Sequence, residues 1–369
     1  MKDARILFLS AISFAFFTPS FAQVSAPKYS NEFLAIGVGA RSLGMSNACV
    51  ASVDDVTSGY WNPSGLLGVR SNMQAGLMHS EYFAGIAKYD YGALAYRIDS
   101  ASVFGLSLVR FGVDDIPNTT ELIDAQGNVS YDKITTFSAA DYGFLFSYAR
   151  TPKIPNLKLG GNFKIIRRIV GDFGGAWGFG LDAGAQYDYK KLKLAAMVRD
   201  ATSTFNAWSF NLDDRTKEVF AQTGNDIPDN SIELTLPKIL LGGARRFDFK
   251  YNLSLLAELD MDLTFDGKRN VLIRSNPVSF DPHAGFEFGY RNLVYLRGGI
   301  GNIQNERDVQ NRRITTFQPN IGVGVHIKQF TIDYALTDIG DQSVALYSNV
   351  FSLKLDINRK PKPQALGSM

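Results

Sequence analysis

Residues 251–263 read YNLSLLAELDMDL. In an extended chain Tyr251, Leu253, Leu255, Ala257, Leu259, Met261 and Leu263 share one face. Asn252, Ser254, Glu258, Asp260 and Asp262 share the other, and only Leu256 breaks the alternation. A period of two is the signature of a strand with one apolar and one polar side. This stretch is also long. Strands of soluble proteins average about five or six residues, whereas a tilted membrane-spanning strand needs about nine to eleven. A face carrying three acids must meet water or a polar lumen, so the opposite face is the one offered to lipid.

The same rhythm recurs along the chain. Trp177, Phe179, Leu181, Ala183, Ala185, Tyr187 and Tyr189 oppose Gly178, Gly180, Asp182, Gly184, Gln186 and Asp188. Within Gln329–Thr337, Phe330, Ile332, Tyr334 and Leu336 oppose Thr331, Asp333 and Thr337. Aromatics gather at the ends of these segments (Tyr187, Tyr189, Tyr251, Tyr290, Tyr347), where amphipathic rings suit lipid headgroups. Short turns near Thr151–Pro155, Lys190, Asp248–Lys250, Arg291 and Lys328 alternate with polar loops at 113–137, 169–175, 201–235, 264–280, 302–315 and 338–345. A soluble β-sandwich has no reason to keep short and long connections in step, but an outer-membrane barrel does. About fifteen candidate strands lie between Ser71 and Ile357; an even number follows if Ser71–Tyr89 supplies one, giving about fourteen. The fold class expected is all-β, a transmembrane antiparallel barrel over 71–357.

Bulk properties narrow the function. Lys+Arg 38 against Asp+Glu 36 leaves no basic excess for nucleic acid. High Phe, Tyr and Gly content fits an all-β chain with many tight turns. Cys49 is the only cysteine, so neither an internal disulfide nor a cysteine metal cluster is expected. His79, His283 and His326 are far apart and show no zinc spacing. No cofactor, metal or catalytic residue is assigned. Glu258, Asp260 and Asp262 admit a calcium or acid–base reading, but a polar lumen wall matched by arginines is preferred.

The start, MKDARILFLSAISFAFFTPSFAQ, has basic Lys2 and Arg5, an apolar core from Ile6 to Phe17, and Ser20-Phe21-Ala22 as a small-x-small cleavage site. Residues 1–22 are therefore expected to be a signal peptide, and the mature protein to leave the cytoplasm. The tail 358–369 is polar and contains proline.

Between signal and barrel, residues 37–66 read GVGARSLGMSNACVASVDDVTSGYWNPSGL. The opening is not a dinucleotide loop: Ser42 stands where the third glycine belongs, and no βαβ pattern follows. Small residues (Ala40, Ser42, Gly44, Ser46, Ala48) mixed with Leu43, Met45 and Trp61 suit an irregular segment packed closely on other backbone. Asn62-Pro63-Ser64-Gly65 is a turn signal. Residues 23–70 are read as a hatch within the lumen, with Asp54 and Asp55 as contacts to lumen arginines or as solvated turn residues.

This stretch also resembles the N-terminal signature of the PorV/PorQ family, FadL-like outer-membrane barrels of Bacteroidota. The matching residues include Gly39, Ala40, Arg41, Gly44, Met45, Asp54, Asp55, Tyr60, Trp61, Asn62, Pro63 and Gly65. The similarity covers Gly39 to Leu66; beyond it only barrel rhythm and length agree. Tyr60 and Ser64-Gly65 depart from the strict PorV pattern, so the chain looks like a paralogue. The resemblance implies a fourteen-stranded barrel with a short plug. It also implies a non-enzymatic role in type IX secretion, binding C-terminal signal domains of cargo or accompanying the large translocon barrel. Phe205, Trp208, Phe210 and Phe220, in the longest loop (201–236), are the candidate partner contacts. The other function expected of such a barrel is a FadL-like channel for hydrophobic small molecules, which needs an apolar pocket near the hatch and a lateral exit. Gly174-Gly175 could mark a strand kink there, or equally serve a turn.

Overall fold

The structure is a computed structural model that describes residues 30–123, 127–307, 311–339 and 347–358. The signal segment and residues 359–369 lie outside the described residues. After the N-terminal segment the chain is a succession of strands. These are β1 (Met73–Tyr82), β2 (Ala87–Arg97), β3 (Ser102–Asn118), β4 (Thr135–Arg150), β5 (Leu157–Val170), β6 (Gly174–Tyr189), β7 (Leu192–Arg199) and β8 (Thr204–Phe210). They continue as β9 (Ser231–Thr235), β10 (Lys238–Asp248), β11 (Leu253–Thr264), β12 (Ser279–Tyr290), β13 (Val294–Arg307), β14 (Arg313–Ile327), β15 (Phe330–Thr337) and β16 (Ser348–Ile357).

All pair antiparallel. β1 meets β16 along Met73↔Ile357 to Glu81↔Asn349, and the ring is complete through β5–β6. β7 and β8 both lie against β6, and β9 and β10 continue one another on the next position. Of sixteen segments, two pairs are each one interrupted strand, which leaves a closed barrel of fourteen. Closure leaves the wall without a free edge, as a hydrocarbon surround requires.

The alternation read from the sequence is the alternation of the wall. In β11, Ser254, Leu256, Glu258 and Asp260 point into the lumen and are buried, while Ala257 and Leu259 face outward. Leu256, the exception to the pattern, is a lumen residue packed against hatch residues Met45 and Ala51. Tyr251 is not in the strand; it sits in the preceding turn with φ 62°. The outer face carries Leu77, Phe104, Phe146, Phe163, Phe179, Leu259, Phe286 and Ile332, all exposed, which is the apolar band of a membrane barrel.

Some expected loops are shorter than the sequence implied. β3 runs to Asn118 and β4 starts at Thr135, so the two ends of 113–137 are strand. The 169–175 connection is only 171–173, and β13 and β14 occupy most of 302–315. Polar residues on both faces at these ends hide the strand period, because there the wall stands in water. Residues 201–236 are likewise no irregular loop: they form β8, a helix α3 (Asp214–Gln222) capped by Asp213 onto Thr216 N at 2.6 Å, and β9.

A charge on the lipid face should be costly. Leu259→Arg should destabilise the barrel by about 2–4 kcal/mol, measured by urea unfolding in lipid vesicles.

Candidate functional site

The lumen is filled by residues 30–72, built on two short helices, α1 (Ala40–Gly44) and α2 (Ser58–Trp61). Neither is long enough to persist alone, so docking must hold them. Gly39, at φ 83°, begins α1 with a backbone few other residues adopt. Tyr60 and Trp61 clamp the preceding segment: the Tyr60 hydroxyl donates to Leu34 O at 2.5 Å, and Trp61 Nε1 donates to Val38 O at 2.8 Å. Asn62 caps the turn at Pro63–Gly68, accepting from Ser64 Oγ at 2.7 Å, and its Nδ2 donates to Val50 O and Ala185 O. Gly65 has no room for a side chain, since a Cβ would lie 2.4 Å from Val53 O. The motif residues are thus packing and capping residues of a folded plug.

Three kinds of contact hold the plug to the wall. The first uses carboxylates on backbone amides. Asp260 Oδ2 accepts from Cys49 N (2.7 Å) and Val50 N (2.9 Å), and Glu258 Oε1 from Ala51 N (2.7 Å) and Ser52 N (3.1 Å). The preferred arginine partners of this acidic row are therefore replaced by hatch N–H groups, and Asp262 pairs with Lys238 at 2.5 Å. An irregular segment has unpaired amides, and a wall carboxylate satisfies two at once. Gln186 Nε2 completes the collar on the carbonyls of Val50, Ala51 and Val53.

The second is a chain of alternating charge. Arg41 meets Glu287 (2.9 Å), Glu287 meets Arg297 (2.7 Å), Arg297 meets Asp333 (2.8 Å), and Lys354 joins Asp333 (3.7 Å) to Asp55 (2.5 Å). It starts and ends on the hatch and draws its wall residues from four strands between, β12, β13, β15 and β16. Asp55 is thus a lumen contact, to a lysine, while Asp54 is exposed. Burial pushes the Asp55 carboxyl up, but Lys354 and Thr57 outweigh it and hold the group well below the usual carboxylate range. Burial pulls the Arg41 guanidinium pKa down, but Glu287 and Asp54 outweigh it and raise it above the ordinary value.

The third is bare backbone contact. A Cβ on Gly299 would lie 2.3 Å from Met45 C, and one on Gly160 2.5 Å from Pro63 C. Much of the glycine content therefore serves the lumen wall rather than tight turns.

The plug divides the lumen. The chamber at the short-turn end, about 850 Å³, is lined by charged residues including Arg70, Lys193, Arg246 and Asp356. The chamber at the opposite end, about 730 Å³, has an apolar floor of Ile36, Leu43, Trp61, Tyr82, Phe111 and Leu240, and the rest of its lining is largely charged or polar, including Arg199, Lys238, Asp262, Arg269, Asp281 and His283. Beside it the wall is irregular. From Val198 to Phe205 the chain advances while β6 moves only from Ala183 to Phe179, so the pairing shifts register at Asp200–Ser203, although Ala201 N still donates to Leu181 O at 2.8 Å. Asp200 and Ser203 have φ 56° and 58°. A narrow cleft behind the shift is lined by Leu34, Ala35, Arg199, Asp200, Leu236 and Pro237. The shift lies there and not at Gly174-Gly175, which pair regularly with Phe210 and Ser209.

The aromatics of 201–236 are engaged within the protein. Phe205 extends an outward row with Phe179 (5.8 Å), itself beside Phe163 (6.2 Å). Trp208 stacks on Phe210 (5.6 Å), lies under Arg168 (4.9 Å) and donates to Glu233 (2.7 Å). Phe220 is half-buried on α3. The cleft, the register shift and the glycine contacts were not visible in the sequence, because they depend on which strands the hatch touches. Among the described residues no group of three or more His, Cys, Asp or Glu is arranged to hold a metal ion.

No protein-family model matches the chain, and no curated protein matches it. Solved structures do. The Ralstonia pickettii toluene transporter TbuX superposes with TM-score 0.52 at 14% identity, over 87% of this chain and 99% of that one. The Pseudomonas putida toluene transporter TodX gives TM-score 0.53 at 12% identity, over 88% and 99%. A Pseudomonas aeruginosa FadL homologue gives 0.51 at 14% identity, over 86% and 98%. The fold is that of FadL-like barrels.

Gly299→Leu should loosen the hatch while leaving the barrel folded. Overpacking of this kind costs about 1–3 kcal/mol, so trypsin should cut after Arg41 roughly tenfold faster or more, with heat-modifiable electrophoretic mobility retained. The depressed Asp55 carboxyl makes a second prediction. Its contribution is complete above the ordinary carboxylate range, about pH 4, and is lost only as pH falls through the lower folded-state value. Protection of Arg41 from cleavage by a protease active across the range should be flat from about pH 5 to 8.

Proposed function

We propose that the protein is an outer-membrane, non-enzymatic channel for hydrophobic small molecules. The observation that carries this reading is the apolar floor of the 730 Å³ chamber, set directly on the hatch and next to the interrupted wall. An apolar solute gains by leaving water for Ile36, Leu43, Trp61 and Phe111. The hatch blocks the straight path through the lumen, so the solute leaves sideways at Asp200–Ser203, where the ladder shifts register, and enters the bilayer. The structural neighbours described as toluene transporters support this choice of solute class.

A second reading, in type IX secretion with a translocon barrel or cargo as partner, rests on the signature at Gly39–Leu66. The structure gives these residues internal work: Asn62 caps, Tyr60 and Trp61 clamp, and Gly65 allows close approach. That accounts for the signature as hatch packing, so it weighs less toward a partner.

Cells expressing the protein should take up radiolabelled toluene or a long-chain fatty acid faster than cells without it. Phe111→Asp places an uncompensated charge in the apolar floor and should lower that uptake by roughly tenfold. Unchanged uptake, together with recovery of secreted cargo or a giant translocon barrel on gentle affinity purification, would favour the second reading.

A further inference from the structure

The lipid-facing surface holds cations that the channel reading does not use, and Arg245 is one of them. Arg245 lies on the outer face of β10, exposed, opposite Leu192 of β7 and Ala257 of β11. Its other outward neighbour along the strand is Phe247, with the guanidinium 4.9 Å from the ring centre. Among the described residues it has no acidic partner. Leu192 pairs in turn with Tyr189, the last residue of β6, which puts Arg245 at the edge of the apolar band, at the short-turn end.

The pattern repeats on both sides. Lys190 lies 5.2 Å over Tyr189, and Arg291 lies 5.1 Å over Tyr290. Tyr189, Phe247 and Tyr290 are each more than a third exposed. These cations are separated by two strand spacings each, roughly 10 Å. Lys191 and Lys250 lie in the same turns and are exposed. The acids close by are occupied: Asp188 by Lys158 at 3.2 Å and Asp248 by Arg246 at 3.0 Å.

An unpaired guanidinium beside hydrocarbon reaches for the headgroup layer, where the counter-charge available is lipid phosphate. One such cation needs only the phosphate that every phospholipid has. Several, on a girdle of rings and with the nearby acids already paired, favour lipids with net negative charge. We propose that the sector from β6 to β12 at the short-turn end is a docking surface for anionic phospholipid, with Arg245, Lys190 and Arg291 holding the headgroups and Tyr189, Phe247 and Tyr290 seating the upper acyl chains.

The test is native mass spectrometry of the detergent-purified full-length barrel, incubated with equimolar phosphatidylglycerol and phosphatidylethanolamine of identical acyl chains. The wild type should retain phosphatidylglycerol in clear excess. The triple variant Lys190→Gln/Arg245→Gln/Arg291→Gln should lose that preference, by about fivefold per charge removed. Lys217→Gln/Arg274→Gln, at the opposite end, should keep it. Should the triple variant fail to assemble, Arg245→Gln alone carries the test with about a fivefold drop. Equal retention of the two lipids by the wild type, or an unchanged preference in the variants, would overturn the proposal.

Discussion

Everything in this molecule follows from the absence of water in a hydrocarbon layer. A backbone amide there has no partner unless the chain supplies one, and only a closed ladder supplies all of them. The β1–β16 seam and the β5–β6 pairing close that ladder. Once closed, the wall encloses a space too wide for its own side chains to fill. A second structure is then needed inside, and residues 30–72 provide it.

The inner structure obeys different rules from the wall. It is irregular, so its amides are unpaired, and the lumen pairs them with Asp260, Glu258 and Gln186. It is close to the wall, so Gly160 and Gly299 stand where its backbone passes. A buried ion chain contributes little net stability by itself, because desolvation offsets attraction. Its effect is on position: Arg41 and Asp55 each have one place in the lumen where their charge is matched. The apolar chamber floor is a by-product of that fixed position, since Ile36, Leu43 and Trp61 belong to the hatch.

The barrel was legible because a period of two needs no tertiary knowledge. YNLSLLAELDMDL shows it within one strand, and the outward and inward faces follow. The hatch was legible as a segment, from its small residues and its Asn-Pro turn. Its contacts were not. Nothing local says that Glu258 meets the amide of Ala51, more than two hundred positions earlier, or that Gly299 lies under Met45. Strand ends in water lost their alternation, which made 113–137 look like loop. The shift in the wall was not legible for a related reason: it is set by a mismatch between β6 and its two partners, while the glycines at 174–175 open β6 just after its turn, one of the two roles the sequence allows them.

The ion chain has a consequence for how the molecule is assembled. Arg41 and Asp55 are among the first described residues of the chain, yet Glu287, Arg297, Asp333 and Lys354 belong to β12, β13, β15 and β16. Contacts so distant in sequence form late, after the intervening loops have closed. The plug therefore cannot settle on its ionic seat until the final strands are present.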